Sequence, residues 1–361
     1  MTETHKLRVG IAGCGIGRSH AEAYLKLPDQ FQLSAICDID TAVAHATAHQ
    51  LGVETVFTDF SALCQQPDLD VIDICTPSFL HYPQAMQALA ASKHVICEKP
   101  VAGSPAEIDD LIVAETISGK RLMPIFQYRF GHGLQKLKFL IDQGITGQAY
   151  LATVETHWRR RADYYAIAWR GKRATALGGA LVTHAIHAHD ALCYILGPVK
   201  SVFARTATLV NPVDVEDCVS ASLEMVDGSF ATLSVTLGSS EEISRHRFCF
   251  SNLSAESNTR PYSNTSDPWV FTGDTPTITT QIETALSNFI PQPEGYIGQF
   301  ARFYYALHSG NELPVTLLEA RQSLSLISAM YASSNDATSQ KRLSGLLQTD
   351  CIPGTQASFH P

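Results

Sequence analysis

The chain predicts two different sheets in succession, a doubly wound parallel α/β sheet and then an α+β half built on a mostly antiparallel sheet. Three observations carry this. Short apolar runs alternate with helix-like runs through residue 126, the pattern of strand–helix–strand units. The pattern then changes: Val219, Ala221, Leu223 and Met225, and again Ala231, Leu233, Val235 and Leu237, alternate with polar residues. A period of two on either side of Asp227-Gly228 marks an antiparallel hairpin with a two-residue turn. The length of 361 residues accommodates two domains, 1–126 and 127–340, with 341–361 read as a tail.

Leu7 to Gly13 reads as a short buried strand, and Ala21 to Leu27 as a helix that ends at Pro28. Between them stands Gly13-Cys-Gly15-Ile16-Gly17-Arg18-Ser-His20. Glycines between a strand and a helix let the backbone approach a pyrophosphate, and the helix N-terminus favours its charge. The usual G-x-G-x-x-G is one residue short here, so the loop alone also fits a plain tight turn. Gln32 to Cys37 is the second strand and ends at Asp38. An acid at this distance from the glycines takes ribose hydroxyls and repels a 2′-phosphate. Ile39-Asp40-Thr41-Ala42 offers no base to hold that phosphate, so NAD is expected in preference to NADP. Asp38 has a second reading, as N-cap of the helix starting near Thr41.

Asp70 to Cys75 is a further strand, followed by Thr76-Pro77-Ser78-Phe-Leu80-His81 and an alanine-rich helix from Tyr82 to Ala91. His94-Val-Ile-Cys97 then runs directly into Glu98-Lys99-Pro100. Pro105 to Ser118 is a helix and Leu122 to Phe126 a strand. Parallel strands in this order bring Gly13, Asp38, Thr76, Glu98 and Gln127 to one edge, where open α/β sheets take ligands. An acid and a base emerging from a buried strand, rather than from a helix face, single out Lys99 as a chemical group. Pro100 fixes the turn and admits a cis bond.

Composition excludes some partners. The net charge is −9 and no long basic run occurs, so neither nucleic acid nor an anionic membrane is expected. No stretch approaches the ~18 apolar residues of a spanning helix. The N-terminus carries no apolar signal region, which reads as cytoplasmic. The nine cysteines agree: the number is odd, there is no Cys-x-x-Cys, and Cys14, Cys37, Cys75 and Cys97 sit in apolar strands as small reduced hydrophobes.

In the second half, Tyr150 to His157 and Val199 to Leu209 add strands. Residues 252–294 are polar, with several Pro, Asn and Thr, and read as a long excursion, a lid or a subunit arm. Ile297 to His308 and Thr316 to Tyr331 read as helices, the last able to return to the first domain. Gly178 to Gly197 reads as one helix, with Thr183 and His187 a turn apart and His184 and Asp190 beside His187. His184, His187 and Asp190 have metal-ligand chemistry, but no ligand outside this helix is evident and no metal is expected. His189 and Asp190 read as helix residues bonded to neighbours. Upstream, residues 157–171 gather aromatics and arginines. Tyr165, Trp169 and Arg170 there can stack on sugar CH faces and bond hydroxyls or a carboxylate, which suggests a substrate pocket that Arg129 also serves. The bland alternative is a solvated basic loop.

Cys-Thr-Pro-Ser-x-x-His (75–81) followed by His-Val-Ile-Cys-Glu-Lys-Pro (94–100) resembles the glucose–fructose oxidoreductase / inositol dehydrogenase / MocA family. Gln127-Tyr-Arg129-Phe130, Gly178-Gly179-Ala-Leu and His187-Ala-His-Asp190 fit its second domain in order. The resemblance implies an N-terminal Rossmann domain and a C-terminal α+β domain with an open sheet, through which members assemble as homodimers or homotetramers. It implies NAD(P)-dependent oxidation of a secondary alcohol on a sugar or cyclitol, to a ketone or lactone. Gly13, Gly15, Ile16, Gly17, Asp38, Thr76, Pro77, His81, Glu98, Lys99 and Gln127 are then the expected cofactor residues. His187 matches the family's catalytic histidine, to share the hydroxyl proton with Lys99, while Glu98 orients Lys99 or the carboxamide. Thr183 stands where many members carry an aspartate, and it can only hydrogen-bond. With His184, these residues complete the expected sugar or polyol site. Three other outcomes stay open: keto-sugar formation on a glycoside or nucleotide sugar, NAD-assisted glycoside elimination, and a non-catalytic NAD or sugar sensor.

Overall fold

The computed structural model describes residues 5–336 and 341–343. Six strands form the first sheet: β1 (Leu7–Ala12), β2 (Phe31–Cys37), β3 (Thr55–Phe57), β4 (Val71–Ile74), β5 (His94–Cys97) and β6 (Leu122–Pro124). All pairs are parallel and the order is β3-β2-β1-β4-β5-β6. Helices on both faces bury the central strands: all four residues of β4 are buried, Asp73 among them. The connections are α1 (Gly17–Leu25), α2 (Thr41–Leu51), α3 (Phe60–Cys64), α4 (His81–Ala90) and α5 (Pro105–Ser118). β3 and α3 are too short to show a period in sequence. The order reverses between β1 and β4, which opens a crevice at the strand tips.

The second unit contains α6 (His132–Asp142), β7 (Ala149–Arg159), α7 (Ala162–Tyr165), α8 (Arg173–Ala176), α9 (Ala180–Thr183) and α10 (Ile186–Leu196). Next come β8 (Val199–Ala207), β9 (Cys218–Met225), β10 (Phe230–Thr236), β11 (Gly238–Phe250), β12 (Leu253–Ser257) and β13 (Trp269–Gly273). The chain continues through α11 (Pro276–Ser287), α12 (Gly295–Ser309), α13 (Leu317–Asn335) and β14 (Lys341–Arg342). The eight strands run β13-β12-β11-β7-β10-β9-β8-β14, with β10–β7 the parallel pair in an otherwise antiparallel sheet.

Three expectations change here. Residues 252–294 are not an excursion: β12 and β13 extend the sheet edge and α11 packs beside them. The polar residues between them are consumed internally, with Trp269 Nε1 donating to the Asn264 carbonyl at 2.8 Å and Asn264 fully buried against His246. The hairpin after β9 turns through Val226-Asp227-Gly228, not two residues, because Met225 N donates to Ser229 O at 2.8 Å and Gly228 takes φ +89°. Lys341 and Arg342, expected in a tail, pair with Val202 and Ser201 of β8, and the rest of that expectation lies outside the described residues.

The last two helices hold the domains together. Gln299 on α12 donates to Pro124 O at 2.7 Å and accepts from Phe126 N at 3.2 Å. Phe300 stacks on Tyr24 of α1 at 4.5 Å. Thr316 and Glu319 form a capping box that starts α13, and Arg321 reaches Asp109 of α5 at 2.6 Å. Among the described residues no helix is long and apolar enough to cross a membrane.

Candidate active site

The glycine loop leaves β1 with Gly13 at φ +98°, where an added Cβ would lie 2.5 Å from the Cys75 carbonyl oxygen. Only glycine fits there. At Gly15 an added Cβ meets nothing within 4 Å, so the outer side of the loop is open. Beside it Ile16 is exposed, and α1 begins at Gly17 with no side-chain cap on its first amides. An open backbone ahead of an uncapped helix start is suited to a pyrophosphate. Asp38 stands at the tip of β2, its carboxylate held by Cys14 N at 2.8 Å and Asp40 N at 3.0 Å. It does not cap α2; Asp40 does, accepting from Ala42 N and Val43 N. Asp38→Ala is expected to weaken NAD binding roughly 10- to 100-fold and NADP binding little. Titration of both nucleotides checks this, and an unchanged preference removes Asp38 from the ribose.

The Thr76 hydroxyl donates to Gln84 at 2.6 Å, and Pro77 leads into the turn before α4. His81 is buried between the carbonyls of Thr76 and Pro100, at 2.7 Å each, so it ties the two loops together. Glu98 is turned inward. Its Oε2 accepts from Lys99 N at 3.1 Å, and its Oε1 meets His20 Nε2 at 3.2 Å and Tyr296 OH at 3.1 Å. Burial raises its pKa, but the His20 hydrogen bond and charge, with Lys99 and His187, bring it down to about 2. Glu98 thus orients the Lys99 backbone. Gln127 donates to Tyr296 OH at 3.3 Å while its buried Oε1 has no partner among the described residues, leaving an acceptor at the crevice. The loop, Asp38 and Gln127 together fit NAD.

Across a cis Lys99–Pro100 bond, Lys99 extends toward the second unit, where its Nζ donates to Thr183 O at 2.8 Å. Burial lowers its pKa, and Glu98 opposes the shift. The segment expected as one helix breaks: α9 ends at Thr183 and α10 begins at Ile186. Buried Glu216 accepts from Gly179 N and Leu181 N at the start of α9. The Thr183 hydroxyl therefore serves Gly179 O and His184 Nδ1, each at 2.7 Å, and not His187. His187 stacks on Tyr128 at 4.8 Å, and its buried Nδ1 has no partner among the described residues. Burial and Lys99, opposed by Glu98, hold its pKa near about 3, so the ring is neutral at pH 7.

Tyr164, Tyr165, Trp169, Arg170, Thr183 and His184 line one narrow cleft. Arg160 is committed, to Glu242 at 2.8 Å, His184 Nε2 at 3.1 Å and Tyr262. Arg170 lies over Tyr164 at 4.2 Å with its Nε buried and unpartnered among the described residues. Arg129 is turned inward. It is 3% exposed, forked onto Asp190 with two bonds of 2.6 Å and joined to Glu319, so three of its N–H groups, one on each nitrogen, are held inside the protein. Asp190 is bonded to a neighbour as expected; neither ring nitrogen of His189 has a partner among the described residues. Burial, with His246, pushes His189 down to about 3. A histidine depressed on folding contributes stability in full above about pH 6.5 and loses it as pH falls toward 3. His189→Leu should flatten the acid slope of unfolding free energy by about 1.4 kcal/mol per pH unit, read from denaturation at several pH values.

Sequence reading passed over His20, Asp73 and Tyr296. The available signal was an acid inside the buried run Val71-Ile72-Asp73-Ile74, which demands a partner.

Residues 7–126 match the model of the oxidoreductase family with an NAD-binding Rossmann fold, and residues 134–251 that of the GFO/IDH/MocA C-terminal domain. The chain is 33% identical over 204 residues to D-glucoside 3-dehydrogenase of Escherichia coli, spanning 55% of this chain and 57% of that protein. It is 30% identical over 209 residues to myo-inositol 2-dehydrogenase of Thermotoga maritima, 57% of this chain and 60% of that one. Among solved structures, the WlbA dehydrogenase of Bordetella pertussis, in complex with NADH and UDP-GlcNAcA, superposes with a TM-score of 0.82 at 29% identity. That match covers 94% of this chain and 99% of the other.

Proposed function

The chain belongs to the GFO/IDH/MocA oxidoreductase family with its NAD-binding Rossmann domain, and from that premise we propose that it oxidises a secondary hydroxyl of a sugar, cyclitol or sugar derivative, with Lys99 and His187 handling the proton. The observation that supports it is the bond from Lys99 Nζ to Thr183 O, which sets a depressed lysine between the strand tips and the catalytic-histidine segment. NAD, when bound, supplies the hydride acceptor. Lys99 bonds the substrate hydroxyl and, with its pKa lowered by burial, takes the proton as the alkoxide develops. His187, neutral and with Nδ1 unbonded, is the second acceptor. The Thr183 backbone carbonyl anchors Lys99, and its hydroxyl, bonded to Gly179 O and His184 Nδ1, brings a hydrogen bond without an aspartate's charge. A screen of free sugars, inositols, sugar acids and glycosides by NADH absorbance tests the reading. One class should turn over; tight NAD binding with no turnover of any polyol overturns it in favour of a sensor. A deglycosylated product without net NADH points to elimination.

A second reading, an anionic sugar acid or nucleotide sugar, is favoured by Arg170. Its guanidinium makes no ion pair among the described residues and carries a buried, unsatisfied N–H on the cleft. Arg170→Gln should then raise KM for an acidic sugar roughly 10- to 100-fold and leave a neutral sugar unchanged.

We also place the protein in a reducing compartment, the cytoplasm, which its eight described free thiols support. Its assembly as a homodimer or homotetramer would use the outer sheet face, where Phe230 pairs in register with Leu151, both exposed.

A further inference from the structure

Beneath the tips of β1, β4 and β5 lies a polar cluster that the proton chemistry above does not use. His20, in the first turn of α1, is fully buried. Its Nδ1 lies 2.9 Å from Asp73 Oδ2, and its Nε2 lies 3.2 Å from Glu98 Oε1. Ionised carboxylates only accept, so both ring nitrogens must donate, and the ring is an imidazolium. The groups facing it come from every neighbouring element. From β4 come Asp73 and, just beyond it, Cys75 Sγ at 3.3 Å; Glu98 comes from the end of β5. From α12, Tyr296 and Phe300 pack on the ring at 4.5 and 5.2 Å. Tyr24 donates to Asp73 at 2.8 Å, and Tyr296 to Glu98. Two carboxylates and one imidazolium leave a single negative charge, which Lys99 balances.

We infer that His20 is a positioning residue for Lys99: bridging Asp73 and Glu98, it keeps Glu98 ionised and turned inward, and so sets the charge felt by the Lys99 ammonium. Burial alone would lower the His20 pKa; Asp73 reverses this and lifts it well above the usual value. Without the bridging cation, two carboxylates would share one buried site, and one of them must take a proton. A protonated Glu98 removes the group that opposes the fall of the Lys99 pKa. His20, Asp73 and Cys75 also offer three metal-ligand atoms within 4.8 Å of one another. Both imidazole nitrogens are already committed to carboxylates, so hydrogen bonding accounts for the cluster.

The inference rests on Lys99 as the proton acceptor, so its test is read without turnover. Reductively methylated protein, carrying 13C-dimethyl-lysine, reports the titration of Lys99 by NMR, assigned by its loss in Lys99→Arg. 15N shifts report the His20 ring. In the wild type His20 should keep both protons well above pH 7. His20→Gln should lower the Lys99 titration by roughly one pH unit or more, Glu98→Gln by a similar amount, and the double variant no further. A His20 that is neutral at pH 7 in the wild type overturns the inference. So does a Lys99 titration unmoved in either folded single variant, and Glu98→Gln decides alone if His20→Gln does not fold. A Lys99 titration that moves as stated, in an enzyme whose turnover survives Lys99→Met, would uphold His20 and reject the catalytic role of Lys99.

Discussion

Lys99→Met should lower kcat by roughly 10³-fold while the NAD dissociation constant stays within about twofold. The separation follows from where Lys99 points. Its one side-chain bond among the described residues runs to Thr183 O in the second unit, while Asp38 is held by the glycine loop. Losing it removes a proton acceptor and a donor to the developing alkoxide, and leaves the nucleotide cradle intact. Methionine keeps the apolar stem without a charge that burial disfavours, so stability should hold or rise. Lys99→Arg should be as inactive, because a guanidinium does not release its proton. In the wild type the neutral amine is the working form, so activity rises with pH through the depressed Lys99 pKa, and that limb should vanish with the side chain. Steady-state rates across pH, beside fluorescence titration of NAD, decide it. Residual activity above about a tenth, or loss of NAD binding, would contradict the assignment.

The parts of the site legible in sequence are those whose chemistry is local. Gly13 is required by its own φ and by the backbone of Cys75, and a glycine run between strand and helix reports such a need directly. Glu98-Lys99 was visible because a buried strand does not end in an acid and a base without a use for them. Partners distant in sequence were not visible. Arg129 reads as a free cation until Asp190, 61 positions on, and Glu319, 190 positions on, close around it. Asp73 hid inside an apolar strand, and His20 inside a loop already explained by its glycines. The break between Thr183 and Ile186 carries no proline or glycine, so a periodic pattern runs straight through it. β12 and β13 are short, and only their pairing beyond β11 distinguishes them from polar loop.

Arg129→Met should destabilise the protein by about 3–5 kcal/mol, the cost of leaving Asp190 buried without its partner. Burial already raises the Asp190 carboxyl, and the Arg129 fork opposes that rise. The same guanidinium reaches Glu319, whose other oxygen accepts from Thr316 N at 2.8 Å, so one cation ties the turn after β6 to α10 and to the start of α13. Arg129→Lys should recover only part of the loss, since an ammonium cannot fork onto both carboxylate oxygens. Arg129→Met with Asp190→Leu should recover most of it, because removing both charges leaves none uncompensated. Denaturant midpoints for the four proteins, with KM for the identified sugar, separate this account from the substrate role that sequence alone suggested. If Arg129→Met leaves stability within about 1 kcal/mol of wild type and raises KM tenfold, the residue binds substrate; the fork on Asp190, buried at both ends, requires the opposite result.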